Sequence, residues 1–180
     1  PIVNFLSLDA AFCQGDSVLV DVSANGNSPF IIEYQIDGGP TELFQFDGTL
    51  SSFYVSAEGQ LDINQISDAY CSGTSTTSIE VIEHPLPSIS VLDSITLCSS
   101  ETGYTDLTFA GNGPWNYSYS INGADQGAFG SIANNDSVLV TQSGSYVFSG
   151  LSDSLCPSDA SDTTFVTILQ NPILALSEDV

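Results

Sequence analysis

The chain has 180 residues, 22 of them Asp or Glu and none Lys or Arg, so its formal net charge is −22. Without a basic side chain it cannot displace counterions from nucleic acid or be drawn to an anionic bilayer. It also has no lysine for a phosphate clamp, a Schiff base or an isopeptide crosslink. A hydrophobic fraction of 42% supplies a core and excludes an acidic disordered tail. Uniform negative charge favours solubility, and the absence of trypsin sites suits a protease-rich or cation-rich exterior.

The segments between turns read as strands in chain order. Ser17–Val22 is rich in β-branched residues, and Phe30–Ile36 stops at the turn signal Asp37-Gly38-Gly39. Gln60–Ile66 alternates apolar and polar residues, and Ser78–Ile82 resembles a closing strand. Ser145–Phe148 alternates in the same way after Gly144, and Thr163–Ile168 matches the closing strand. No stretch sustains a helical period, and no apolar run approaches the roughly 18 residues of a membrane helix.

A shift of 85 residues superposes the chain on itself. Cys13 falls on Cys98 and Cys71 on Cys156, so the cysteines of each half are 58 residues apart. Pro29 meets Pro114, Phe30 meets Trp115, Tyr34 meets Tyr119 and Gly38 meets Gly123. Gly59 meets Gly144, and Ser67-Asp68 meets Ser152-Asp153. One unit is written twice, as in proteins that build length by repetition. Six or seven short strands per unit predict an all-β chain of tandem immunoglobulin-like β-sandwiches. The expected boundaries are 1–85 and 86–171, with His84-Pro85-Leu86-Pro87 as a semi-rigid linker. Pro172–Leu176 matches Pro87–Val91 at the same offset, so a third unit is expected over 172–180.

Four cysteines allow three pairings. The period selects Cys13–Cys71 and Cys98–Cys156, one bond inside each unit, tying the ends or edges of a sandwich. Closing a loop of that length removes about 4 kcal/mol of denatured-state entropy in the chain model. Such bonds point to an oxidising compartment. With no C-x-x-C and only one His, zinc is not expected. Trp115 occupies the site of Phe30 and is expected in the core. Tyr146 follows Gly144-Ser145 as a tyrosine-corner residue would, although its counterpart is Leu61.

Cys13-Gln14-Gly15-Asp16-Ser17-Val18, Ser28-Pro29-Phe30, Tyr34, Gly59 through Asp68 and Cys71-Ser72-Gly73 resemble the Ig-like and PKD-like repeats of large Bacteroidetes surface proteins. Cys98, Gly113-Pro114-Trp115, Tyr119, Gly144-Ser145-Tyr146 and Cys156 repeat the order. The unit departs from the pattern after Cys98, where Ser99-Ser100-Glu101 replaces a Gly-Asp pair. The resemblance implies type IX export to the bacterial cell surface and a place in a gliding-motility adhesin, filament or enzyme stalk. It also implies O-glycosylation at Asp-Ser/Thr-apolar/Thr sequences, with acceptors Ser17, Ser94, Ser137, Ser154 and Thr163. Five such sequences stand where composition alone gives about one; the plainer reading is that Asp-Ser marks turns before strands.

Catalytic constellations are not expected. His84, the single His, lies in the proline-rich linker, no G-x-S-x-G elbow occurs, and nothing marks two carboxylates as convergent. No cofactor is expected; calcium is the one candidate, with Asp37, Asp68, Glu83, Asp93 and Asp125 as candidate ligands. With no full D-x-D-x-D-G loop, the plainer reading is solvated turn residues. The function expected is a disulfide-stabilised extracellular spacer whose partners are the adjacent repeats of the same chain. The alternative is an adhesin module for surface polysaccharide or other cells, or the accessory domain of a secreted enzyme. Tyr54, Tyr70 and Tyr117 exposed on one face favour adhesion; a smooth acidic surface favours the spacer.

Overall fold

The computed structural model describes residues 1–173, so most of the expected third unit lies outside the described residues. The chain divides into two compact units, Pro1–Pro85 and from Leu86 onward. All regular structure among the described residues is strand.

In the first unit the strands are β1 (Ile2–Phe5), β2 (Asp9–Cys13), β3 (Val18–Asn25), β4 (Phe30–Ile36), β5 (Glu42–Phe46), β6 (Leu50–Val55), β7 (Gly59–Ser67) and β8 (Ser72–His84). They form two sheets of order β1-β3-β6 and β2-β8-β7-β4-β5. The second unit has β9 (Ser88–Val91), β10 (Ser94–Cys98), β11 (Gly103–Ala110), β12 (Trp115–Ile121), β13 (Ala124–Ser131), β14 (Asn135–Val140), β15 (Gly144–Ser152), β16 (Pro157–Ser158) and β17 (Asp162–Leu169). Its sheets are β14-β11-β9 and β10-β17-β15-β12-β13, with β16 beside β15. In each unit the leading stretch changes sheets. β1 pairs antiparallel with β3, then β2 lies parallel to the last strand, β8. β9 and β10 do the same against β11 and β17.

Strand alternation explains the core. Val20, Val22 and Ala24 of β3 face inward while Leu19 and Asp21 face out. In β7 the buried residues are Leu61, Ile63 and then Ile66, a step of three at the bulge between Ile63 and Gln65. In β15 they are Tyr146, Phe148 and Leu151, with the same step. Phe30 and Trp115 are buried at equivalent places, Phe30 against Phe46 at 5.4 Å and Trp115 stacked on Phe109 at 5.8 Å. Burying one such large apolar side chain contributes about 1.5–3 kcal/mol.

The turn after β4 shows why particular letters repeat. Asp37 and Asn122 both adopt left-handed backbone, with φ of 49° and 51°. Their side chains accept from the N–H groups of Gln60 and Ser145, at 2.8 and 3.0 Å. Gly59 and Gly144 have φ of 129° and 141°, and a Cβ on either would collide with Asp37 or Asn122. The Gly59/Gly144 match therefore records a side-chain latch across the sheet end.

Candidate functional site

The cysteines sit in two kinds of loop, one at each end of a unit. At the end where the chain enters, Asp68 organises the turn between β7 and β8. Its carboxylate accepts from the N–H groups of Asn27, Tyr70 and Cys71, at 3.0, 2.9 and 2.8 Å. The N–H of Asp68 in turn donates to the Cys71 carbonyl at 2.8 Å. Asp153 repeats this, accepting from Asn112, Leu155 and Cys156 at 2.7, 2.9 and 2.7 Å. These bonds, Asn27's foremost, hold the Asp68 carboxyl down to about 2, because they favour its charged form. Gly26 and Gly111 leave room for the two carboxylates; a Cβ there would lie 2.7 and 2.6 Å from them. Pro1 lies beside Gly73, and Pro87 beside Gly111, which marks this as the leading end of both units.

At the trailing end, Cys13 closes β2 opposite His84, the last residue of β8. The N–H of Gln14 donates to the His84 carbonyl, and that of Asp16 to the Cys13 carbonyl. Cys98 closes β10 opposite Leu169, the last residue of β17. There Ser99 donates to Leu169 and Glu101 to the Cys98 carbonyl, while Cys98 N–H donates to the Glu101 carboxylate at 2.7 Å. The Ser99-Ser100-Glu101 departure thus keeps the closing backbone bonds but loses the left-handed backbone that Gly15 adopts at φ 85°.

This geometry overturns the pairing expected from the period. Cys71 and Cys98 are free thiols, both exposed. The disulfide-bonded cysteines are Cys13 and Cys156. Neither Cys13–Cys71 nor Cys98–Cys156 forms, because each of these pairs lies at opposite ends of its sandwich. Cys71 precedes the first residue of β8 and Cys13 faces the last, so about 40 Å of strand lies between them at roughly 3.3 Å per residue. Cys98 lies beyond the Gly144 end of β15, whereas Cys156 follows its Ser152 end. A disulfide requires Cα atoms within about 7 Å.

The calcium candidates are mostly employed as turn acceptors. Asp37 and Asp68 bind backbone N–H groups as above, Glu83 accepts from Gly15 at 3.3 Å, and Asp125 accepts from Gly127 at 2.9 Å. Asp93 contributes its carbonyl to Phe165 N–H. Among the described residues no group of three or more His, Cys, Asp or Glu side chains is placed to hold a metal ion. Of the Asp-Ser/Thr sites, Ser94, Ser137 and Ser154 are exposed, while Ser17 and Thr163 are half-buried. The Asp side chains of three sites accept the N–H of Ser17, Ser137 and Thr163, each at 2.8 Å, the geometry of a turn before a strand.

The three tyrosines separate. Tyr117 is buried at 2% exposure with its hydroxyl on Asp136; burial and that carboxylate push its ionisation up. Tyr34 is likewise raised to about 12 by burial and its bond to Glu42. Tyr54 and Tyr70 are exposed. Tyr54 lies opposite Leu19 on the outer face of the three-stranded sheet. Its counterpart is Leu139 opposite Tyr104, so the second unit carries the same exposed pair with the residues exchanged.

No protein-family profile and no curated protein sequence matches the chain. Solved structures do. An I-band fragment of titin, I67–I69, superposes with a TM-score of 0.60 at 12% identity, over 93% of this chain and 66% of that one. An E-to-A variant of the fragment gives 0.59 at the same identity and coverage. Extracellular domains 3–5 of Drosophila OTK give 0.49 at 13% identity, over 93% and 62%. The chain spans just under two thirds of the titin fragments it matches. The fold is a tandem of immunoglobulin-like β-sandwiches. At such identity the likeness extends to the fold alone.

Proposed function

We propose that the chain is a stretch of a structural array on a bacterial cell surface, in which Ig-like units act as spacers. The observation that carries this reading is the repetition of the end loops. Asp68 and Asp153 organise the leading-end cysteine loops by the same three bonds, and the trailing-end turns are closed by equivalent backbone hydrogen bonds. A unit that specifies its two ends so closely is built to be joined. Bonded Cys13 and Cys156 fit an oxidising exterior, as does a surface that trypsin-like proteases cannot cut. In this reading the exposed Ser94 and Ser137 carry O-glycans, which intact-mass measurement of native material checks. Antibody labelling of unpermeabilised cells tests the location. Signal before permeabilisation is expected; signal only afterwards overturns the reading.

One observation favours a second, adhesive reading. The exposed Leu19–Tyr54 and Tyr104–Leu139 pairs place an aromatic and an aliphatic side chain together at the same site of both units. Such a pair offers a stacking surface for a sugar ring. Tyr54→Ser with Tyr104→Ser separates the two readings. An adhesin loses retention on polysaccharide-coated surfaces, whereas a spacer retains its behaviour.

A further inference from the structure

The cysteines divide by position and by state. Cys71 and Cys156 occupy leading-end loops, and Cys13 and Cys98 occupy trailing-end turns. One of each kind is bonded, Cys13 and Cys156, and one of each kind is free and exposed, Cys71 and Cys98. The repeat supplies its own comparison. The residue equivalent to Cys71 is in a disulfide, and so is the residue equivalent to Cys98. Backbone hydrogen bonds fix both free cysteines as they fix their bonded counterparts. We propose that Cys71 and Cys98 are the two open ends of a directional sulfur linkage. Each forms a disulfide with the complementary cysteine of another unit of this kind, a leading-end thiol with a trailing-end thiol.

The inference rests on the spacer reading and gives it a partner. The occupant is a unit with the same end loops, either flanking in a longer chain or in a second copy. Chemistry favours that over a small thiol. Both loops are preset by Asp68 and Glu101, which hold the backbone N–H of each cysteine, so the loop backbone is ordered before the bond forms. For each link, one Cys71 thiol and one Cys98 thiol react with the disulfide of an oxidant such as glutathione disulfide. One protein S–S bond forms, the oxidant's S–S bond breaks, and two oxidant thiols leave with the two protons and two electrons. Each unit carries only one of the two free cysteines, Cys71 in the first and Cys98 in the second, so the bond cannot form within a unit.

The experiment uses the whole 180-residue chain with glutathione disulfide as the oxidant. About 1 M salt shortens the screening length to roughly 3 Å and removes the mutual repulsion of the acidic copies. Products are read by non-reducing electrophoresis and by mass spectrometry of Asp-specific digests. The expected result is a reductant-sensitive ladder whose new crosslink joins Cys71 of one copy to Cys98 of another. Cys71→Ser and Cys98→Ser, each carrying one remaining exposed thiol, abolish the ladder and stay monomeric when oxidised alone. Mixed, they give the heterodimer. Wild type that remains monomeric overturns the proposal, as do Cys71–Cys71 or Cys98–Cys98 homodimers equal in yield to the heterodimer. A Cys71–Cys98 bond within one chain also overturns it. None of these results moves cell-surface labelling, so failure of the linkage and failure of the spacer reading are distinguishable.

Discussion

The two units solve the same packing problem with different chemistry. In the first, Val20 of β3 and Ile79 of β8 fill adjacent core positions, and Leu61 is wholly buried. In the second, the equivalents are Thr105, Thr164 and Tyr146, all at 0% exposure. The Thr105 and Thr164 hydroxyls are 3.0 Å apart, and Thr164 also donates to the Leu92 carbonyl at 2.7 Å. The Tyr146 hydroxyl accepts from the N–H groups of Thr141 and Gln142 and donates to the Gln142 carbonyl. This is a tyrosine corner, with the side chain pinning the turn before its own strand. The ladder register survives the exchange, so backbone pairing and volume define the unit. What differs is vulnerability. The first core fails by losing volume, and the second also fails by losing hydrogen-bond partners.

The largest expected effect tests that difference at the corner. Tyr146→Leu installs the first unit's residue in the second. It removes ring volume and orphans three backbone groups, so a loss of about 2–4 kcal/mol is expected in the second unit. The chain's single Trp lies there, so urea unfolding followed by Trp fluorescence isolates that unit. A loss below about 1 kcal/mol would mean that the corner bonds are replaced by water at no cost. The reverse change, Leu61→Tyr, inserts a ring into a filled site and is also destabilising, by about 1–3 kcal/mol.

The threonine pair gives the next effect. Thr164→Val strands the buried Thr105 hydroxyl and is expected to cost about 1–3 kcal/mol. Thr105→Val with Thr164→Val reproduces the first unit's apolar chemistry and is expected to recover most of that loss. A double-mutant cycle on the fluorescence transition reads the coupling. Additive losses would show that the hydroxyls do not depend on each other.

The leading-end loops sharpen the comparison through pH. Asp68 is held at about 2, below its ordinary 3.8, so its folded-state bonds favour the charged form. The sign follows. Its contribution is present above the ordinary carboxylate value and disappears as pH falls through about 2. Amide hydrogen exchange at Tyr70 and Cys71 is therefore expected to lose protection between about pH 4 and pH 2. Asp68→Asn should flatten that dependence while leaving the Asp153 loop unchanged. An unchanged profile in the variant would assign the acid response to other carboxylates.

How much of this was legible in the sequence depended on range. Phe30–Ile36 was readable to the residue because a turn signal stops an apolar run. The Ser145–Phe148 segment was recognisable, but β15 continues to Ser152. Its bulge breaks alternation at Gly150, and period-two reading stops there. The core aromatics Phe30 and Trp115 were readable from the repeat. Cysteine pairing was not, for a topological reason. Equal spacing shows that Cys13 and Cys98 are equivalent, not that Cys13 is near Cys71. Which end of a sandwich a residue reaches depends on strand direction, and the parallel β2–β8 and β10–β17 pairings reverse the expected answer. Hairpin signals report only antiparallel neighbours. Whether Tyr117 is exposed was not legible, because Asp136, which satisfies its buried hydroxyl, lies on a strand 19 residues away.

The smallest expected effect concerns the one imperfect feature of the second core. The Trp115 indole Nε1 is buried without a hydrogen-bond partner. The equivalent residue, Phe30, fills its pocket with no polar atom at all. Trp115→Phe removes the unsatisfied donor, which is worth about 1–3 kcal/mol, and also removes indole contact area against Phe109. The two terms oppose, so the net change is expected to lie within about 1 kcal/mol of zero. Because the substitution deletes the fluorescent probe, exchange protection of the β15 amides is the measurement. A loss of more than about 2 kcal/mol would show that indole packing outweighs the buried donor. The second unit would then depend on aromatic volume where the first depends on a smaller ring.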